Sequence, residues 1–335
     1  MSDPIISDLH SSEIIQLDMS HVGLGSLDEP SAMLLFGNSH SRLLTRGLPH
    51  NLNEVVDAKG RQLYPAYFMT DLTVPLATPL RAFSLWQSVQ IETTLSRFGE
   101  TLLESSYSLW RMTDEGVAIT GDQAAITMRA NSVFIVDPSL FLTKHKQVSA
   151  PRYGMIAPMR RLSSPPLAIQ ESVHLRAGLA DDAHFPHRAA TFSYHVESGR
   201  DVVPGHPLMF AKIPQIIEIS ERRALRDLSD ARMSEEMLDA VDLLRRKTFY
   251  FNNAFAGADL RMYTQLSLRP CEGSQWQFNS KVDYVACISF STEVYVGGEL
   301  LAMARAEKVS AFLLGQQAMA QDARRLYRQL LSIPK

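Results

Sequence analysis

The sequence predicts an α+β protein made of two copies of one unit, each a long antiparallel sheet around a single central helix. Three observations predict it. Apolar and polar residues alternate with period 2 over long stretches of both halves, which reads as strands with one buried face. Helical stretches are few. The order strand, glycine turn, helix, aromatic-rich strand and long strands occurs twice, with Gly25 and Gly205 180 positions apart in a chain of 335. So long a period means duplicated domains, not a solenoid.

The elements follow in order. A strand over 13–19 leads through His21-Val22-Gly23-Leu24-Gly25 into a helix from Asp28, a capping residue, with Pro30 in the first turn and Met33, Leu34, Phe36, Leu43 and Leu44 apolar, ended by Gly47. Next come the aromatic strand 63–68 and two long strands, one carrying Val89, Ile91 and Leu95, the other Leu103, Ser105, Tyr107 and Leu109. Phe98-Gly99-Glu100 supplies the turn between them. Prolines between 138 and 186 break the periodicity and mark a linker. The second unit repeats the order: a strand over 190–196, a turn with Gly199-Arg200-Asp201 and Pro204-Gly205-His206, and a helix over 207–225 with Phe210, Ile213, Ile217 and Leu225. A third helix is expected from Ser234, with Met237, Leu238, Val241 and Leu244 at helical spacing, then an aromatic strand over 249–253. Val282, Tyr284, Ala286, Ile288, Phe290, Thr292, Val294 and Val296 share one face of the longest strand. A final helix spans 316–331. The expected domains are 10–150 and 185–315, with a linker over 151–184 and a C-terminal helix within 316–335.

A central helix wrapped by an antiparallel sheet is the hot-dog arrangement, and two in one chain make a double hot dog. No Gly-x-Gly-x-x-Gly follows a strand, which argues against a dinucleotide-binding fold, and no phosphate-binding loop or Gly-x-Ser-x-Gly elbow occurs. With 33 Lys+Arg against 36 Asp+Glu and a formal charge of −3, nucleic acid is not expected as a partner. Cys271 and Cys287 make neither a disulfide framework nor a four-ligand zinc site, and His184 with His187 lacks a second ligand cluster, so no metal is expected. No apolar run is long enough for a membrane span, and Met1-Ser2-Asp3-Pro4 lacks a signal-peptide layout; a cytoplasmic location is expected.

Several residues are suited to chemistry. Asp201 to His206, followed by Phe210 and Glu221, resembles the strand-to-helix entry of hot-dog acyl-thioester hydrolases, where free N–H groups at a helix start polarise a carbonyl; Asp201 and His206 equally suit turn hydrogen bonding. His40 and Asn38 are polar on a helix otherwise suited to burial, so each needs a partner, which a thioester or carboxylate would supply. Asn252 and Asn253 are oxyanion donors or bulge residues. Arg160-Arg161, Arg222-Arg223 and Arg245-Arg246-Lys247 are solvated faces or grips for the phosphates of coenzyme A or of a carrier protein's pantetheine arm.

Gly60-Arg61-Gln62-Leu63-Tyr64, following the helix with Asn38-Ser39-His40, together with Gly199-Arg200-Asp201 through Glu221, resembles the bifunctional acyltransferase/decarboxylase of the leinamycin polyketide pathway and its double hot-dog relatives. The resemblance spans roughly 15–310. It implies decarboxylation of methylmalonyl-CoA and transfer of the propionyl group to an acyl carrier protein, with no cofactor beyond the coenzyme A thioester itself. It also implies a key tyrosine, best matched by Tyr64, on the aromatic strand expected to face the first helix; Tyr67 stands three residues on. His40 would be catalytic with Tyr64, and Asn38, Tyr67, His206, Asn252, Asn253, Arg222 and Arg223 would bind substrate. A hot-dog thioesterase or dehydratase and a non-catalytic acyl-carrier-binding protein are the alternatives. A homodimer is compatible with long sheet edges that need cover.

Overall fold

A computed structural model describes residues 9–23, 26–46, 54–119, 125–136, 147–152, 159–176, 187–202, 207–230, 232–271 and 282–331. The elements are β1 (Leu9–Gln16), the short pair β2 (Val22–Gly23) and β3 (Ser26–Leu27), α1 (Glu29–Arg46), β4 (Leu63–Thr73), β5 (Ser88–Phe98), β6 (Leu102–Arg111), β7 (Ile126–Val136), α2 (Leu167–Arg176), β8 (His187–His195), α3 (Lys212–Leu228), α4 (Glu235–Asp239), β9 (Val241–Tyr250), β10 (Asp259–Pro270), β11 (Val282–Val296), β12 (Glu299–Leu313) and α5 (Gln317–Leu331). Ten strands form one antiparallel sheet in the order β1-β5-β6-β7-β4-β9-β12-β11-β10-β8, five from each half. The halves meet at β4 and β9, paired from Met69↔Phe249 to Thr73↔Arg245. No helix among the described residues is long and apolar enough to cross a membrane.

The duplication is legible residue by residue in the two central helices. Asp28 Oδ1 accepts from the Ser31 N–H at 2.8 Å and starts α1, with Pro30 in the first turn where its missing donor costs nothing. The helix buries Ala32, Met33, Leu35, Phe36, Ser39, His40, Leu43 and Leu44. Adding 181 to each number gives Ile213, Pro214, Ile216, Ile217, Ser220, Glu221, Ala224 and Leu225, the residues that α3 buries. Even the polar anchoring repeats: Ser39 Oγ lies 2.8 Å from Thr93 Oγ1 on β5, and Ser220 Oγ lies 2.7 Å from Thr264 Oγ1 on β10. Each helix is thereby pinned at mid-length to its own half of the sheet. α1 and α3 also contact each other, so a single core runs across both halves.

Two expectations need correction. The helix from Ser234 ends at Asp239, although Ser234 does cap it, accepting from the Met237 N–H; Val241 and Leu244 belong to strand β9. β9 lies at the centre of the sheet, hydrogen-bonded on one side to β12 and on the other to β4, and ladder pairing on both edges outweighs the helical spacing. Its Arg245-Arg246-Lys247 run hid the strand by reading as a solvated face. The linker, expected to be without periodicity, contains α2. That helix lies over the seam on the sheet's outer face, where Ala168 and Leu175 pack with Met69, Phe249, Phe251 and Met303. The expected final helix is α5, which buries Ala320, Ala323, Leu326, Tyr327 and Leu330 beside β10, β11 and β12.

Candidate functional site

The 181-residue offset defines two equivalent positions at the junction of the halves, and they have diverged. Glu29 at the start of α1 corresponds to Phe210 just before α3, Gly37 to Glu218, and His40 to Glu221. One position is filled with charge. Arg246 on β9, 1% exposed, donates through Nε to both Glu29 oxygens at 2.9 Å, through Nη1 and Nη2 to Glu221 at 2.6 and 2.9 Å, and through Nη2 to Glu218 at 3.2 Å. Lys308 from β12 pairs with Glu221 at 2.8 Å and with Glu218. Burial would neutralise Arg246, but the carboxylates of Glu221 and Glu29 outweigh it and hold the guanidinium well above its ordinary pKa. Burial likewise opposes the Glu221 charge, yet Arg246 and Lys308 hold its pKa below the usual range. Every carboxylate there is occupied by a cation, so this position is a structural plug.

The other position holds a histidine and hydroxyls. His40 is 3% exposed. Its Nδ1 lies 3.0 Å from Ser105 Oγ and 3.0 Å from the Tyr107 hydroxyl on β6, and the Tyr107 oxygen lies 3.1 Å from the Tyr67 hydroxyl on β4. The Tyr67 ring packs on His40 at 5.5 Å and on Phe210 at 4.6 Å between centroids. Burial alone pulls the imidazole down to about 4, so it is neutral at pH 7. Burial also drives the Tyr67 phenol well above 10, reinforced by Tyr107, so it acts as a neutral donor rather than a phenolate. With the imidazole hydrogen on Nε2, Tyr67 O–H donates to Tyr107 and Tyr107 O–H to His40 Nδ1; with it on Nδ1, that nitrogen donates to Ser105 or Tyr107 and Nε2 is an acceptor. Among the described residues that Nε2 has no hydrogen-bond partner. A buried polar nitrogen aimed at nothing is costly, and a complementary group on a ligand would satisfy it.

The other expected site residues are dispersed. Strand alternation puts Tyr64 on the face opposite Leu63 and Tyr67, where it is 44% exposed; it does not face α1, a correction of the expected placement. Asn38 is exposed on α1 instead of turning toward His40. Asn252 Nδ2 donates to the Leu300 carbonyl at 2.8 Å just past β9, and Asn253 is buried; neither is a partner of His40. Arg222 pairs with Glu235 and Asp239 at 3.1 and 2.8 Å, and Arg223 lies over the Phe192 ring at 5.5 Å. His206 lies outside the described residues. The basic run on β9 is divided between faces, with Arg246 in the plug, Arg245 on Asp71 at 2.7 Å and Lys247 on Glu171.

Both motifs that carry the family resemblance form locked turns. Asp57 accepts from the backbone N–H of Lys59 and of Arg61 at 2.9 Å and from Arg61 Nε at 2.8 Å, around Gly60 at φ +76°. Asp201 accepts from Tyr194 at 3.0–3.1 Å, from the Glu197 N–H at 2.9 Å and from Arg200 Nε at 3.2 Å, next to Gly199 at φ +80°. Of the two readings of Asp201, the turn is the one its hydrogen bonds describe. Sequence reasoning placed Ser105 and Tyr107 on a buried strand face but gave them no role; two hydroxyls on an otherwise apolar face were the available signal.

Comparison with solved structures places the architecture in one class, the double hot dog. The chain is similar to a protein from Lactobacillus plantarum assigned as an oleoyl thioesterase, with TM-score 0.59, 11% identity, and 91% of this chain and 97% of that one covered. It is similar to a 12:0-ACP thioesterase from Umbellularia californica, with TM-score 0.53, 12% identity and coverages of 90% and 94%. An acyl-ACP thioesterase from Bacteroides thetaiotaomicron gives 0.52, 10%, 89% and 97%. No family model matches the chain, and no curated protein matches it in sequence. Two hot-dog domains side by side therefore cover most of the chain, and at such identities the likeness is one of fold.

Proposed function

We propose that the chain is an acyl-thioester enzyme acting at the His40–Tyr107–Tyr67 network, and that it removes CO2 from malonyl- or methylmalonyl-CoA and passes the acyl group to an acyl carrier protein. The observation that carries this reading is the buried neutral imidazole with an unpartnered Nε2. A thioester oxygen is an acceptor of the kind that Nε2–H lacks. When the carboxylate carbon leaves as CO2, the electrons of the broken C–C bond move into the thioester and place charge on that oxygen. A fixed donor in a low-dielectric pocket stabilises that enolate, and the thioester itself is the electron sink. Protonation of the α-carbon gives the acyl thioester; the carrier thiol then attacks its carbonyl and the coenzyme A thiolate leaves. His40 is bonded to hydroxyls and not to a carboxylate, so nothing raises its basicity, which suits a donor better than a base. The tyrosine in this reading is Tyr67, not Tyr64.

Hydrolysis is the second reading, favoured by the thioesterase names of the three similar structures. The opposite tautomer would leave Nε2 an acceptor able to take a proton from water. Incubation with methylmalonyl-CoA, with and without carrier protein, separates the readings by intact mass. A propionylated carrier with released CO2 is the expected result. Free acid in both arms makes the chain a thioesterase, and bound carrier with no product makes it a binding protein.

A further inference from the structure

Two rings stand on the partly exposed side of the His40 network, Tyr67 against the histidine and Phe210 against Tyr67. Phe210 packs at 4.6 Å on Tyr67 and touches α1 at Gly37, so closely that a Cβ at position 37 would lie 2.8 Å from Phe210 Cζ. Phe210 and the Tyr67 ring it packs on are partly exposed, whereas His40 and Tyr107 are at most 3% exposed. On the Tyr107 side the core is closed: Phe36 and Met128 are 0% and 1% exposed, and the Phe36 ring lies 5.2 Å from Tyr107. The side of the network that Tyr67 and Phe210 close is the one with partial exposure. In the plugged position the equivalent residue is Glu29, which Arg246 ties by two hydrogen bonds. Phe210 has no such tie. Its benzyl group is held by packing alone, on a segment where helix α3 begins without a side-chain cap. That ring turns about χ1 by giving up its contacts with Tyr67 and Gly37, whereas the carboxylate must also break charge-assisted hydrogen bonds.

We propose that Phe210 is the gate and the size-selecting residue of the His40 site, admitting thioesters of short acyl groups, of about propionyl size, and rejecting long chains. The size selection rests on the acyl-thioester reading above; the gate does not. With the ring at Gly37 and Tyr67, an acyl group and Phe210 compete for the same room beside Nε2, and each added methylene must displace packed aromatic surface. The glycine has a specific part. Only a residue without a Cβ lets the ring seat this closely on the helix.

The test uses the full chain with diethyl pyrocarbonate, which carbethoxylates an accessible neutral imidazole at the nitrogen bearing the lone pair, Nε2 of His40 when its hydrogen sits on Nδ1, read per histidine by peptide mass. In the native protein His40 should react slowly. Phe210→Ala removes the ring, and Gly37→Ala pushes it off its seat, so both should speed His40 labelling by about tenfold or more while the exposed His195 reacts unchanged; Phe210→Leu should fall between. Melting curves establish that each variant is folded, and the Leu and Gly37→Ala variants serve if Phe210→Ala does not fold. Unchanged labelling in the folded variants overturns the gate. Competition binding of propionyl-CoA against octanoyl-CoA then reads size: octanoyl-CoA should gain about tenfold relative to propionyl-CoA when the gate is opened. Faster labelling with an unchanged ratio overturns the size selection. Faster labelling with no acyl-CoA bound by any form leaves the gate standing and removes the acyl-thioester reading instead.

Discussion

At the scale of single residues the two tyrosines of β4 separate by one strand face. Tyr67→Phe removes the hydroxyl that starts the relay to His40 and should lower kcat by about 10²-fold, the scale of one lost donor in a preorganised site. Tyr64→Phe, on the exposed face, should leave turnover near the native value; steady-state rates of the two variants check this, and the reverse ranking would return the role to Tyr64. The histidine makes a separate prediction. With its pKa held at about 4, kcat/KM should stay flat from pH 8 to about pH 5, with no limb near 6.5. In the unfolded chain His40 binds its proton near pH 6.5, whereas folded it resists until about 4. The unfolded state thus takes up more protons as pH falls through that window, and stability drops by on the order of 3 kcal/mol. His40→Gln should remove that part of the acid sensitivity, read as the difference between urea midpoints at pH 7 and pH 4.5. The tyrosine-bearing strand and the buried histidine were legible in sequence. Which tyrosine faces inward depends on strand register, and the resemblance motif pointed to the tyrosine beside a locked turn.

At the scale of elements, β9 illustrates how charge disguises structure. A run of three cations reads as solvent-facing, but a strand sends alternate side chains to opposite faces, and Arg246 goes inward to three carboxylates. Arg246→Met should cost about 3–5 kcal/mol, because it strands Glu29 and Glu221 in the core with Lys308 as the remaining cation. Adding Glu29→Gln and Glu221→Gln should recover part of that loss in denaturant midpoints. Arg222, by contrast, sits in half-exposed ion pairs with α4; Arg222→Ala should change stability by no more than about 1 kcal/mol and leave the KM for acyl-CoA unchanged. The expected helix beyond Ser234 failed for the same reason that Arg246 went unseen: spacing of four apolar residues carries no information about neighbours 52–69 positions away on β12 and 172–180 positions away on β4 that pair with β9.

At the scale of the molecule, the repeated order of strand, glycine turn and helix, with Gly25 and Gly205 180 positions apart, was the most legible feature of the chain; the offset of 181 between the two buried helix stripes needed the structure. What the sequence did not disclose is that the halves share a seam, a core and an ion-pair cluster that takes Glu29 from one and Arg246 from the other. The chain should therefore unfold in urea as one cooperative unit, with coincident transitions by circular dichroism and tryptophan fluorescence, and residues 1–150 expressed alone should not fold. The seam between β4 and β9 has one more consequence. In a symmetric homodimer of single domains, every substitution appears at both sites at once, so a change that converts one site into structural core abolishes the other. Joining the two copies in one polypeptide releases them from that constraint. One copy can then serve as keystone, its Glu221 locked to Arg246 and Lys308, while its twin keeps a histidine and two phenols at the same place.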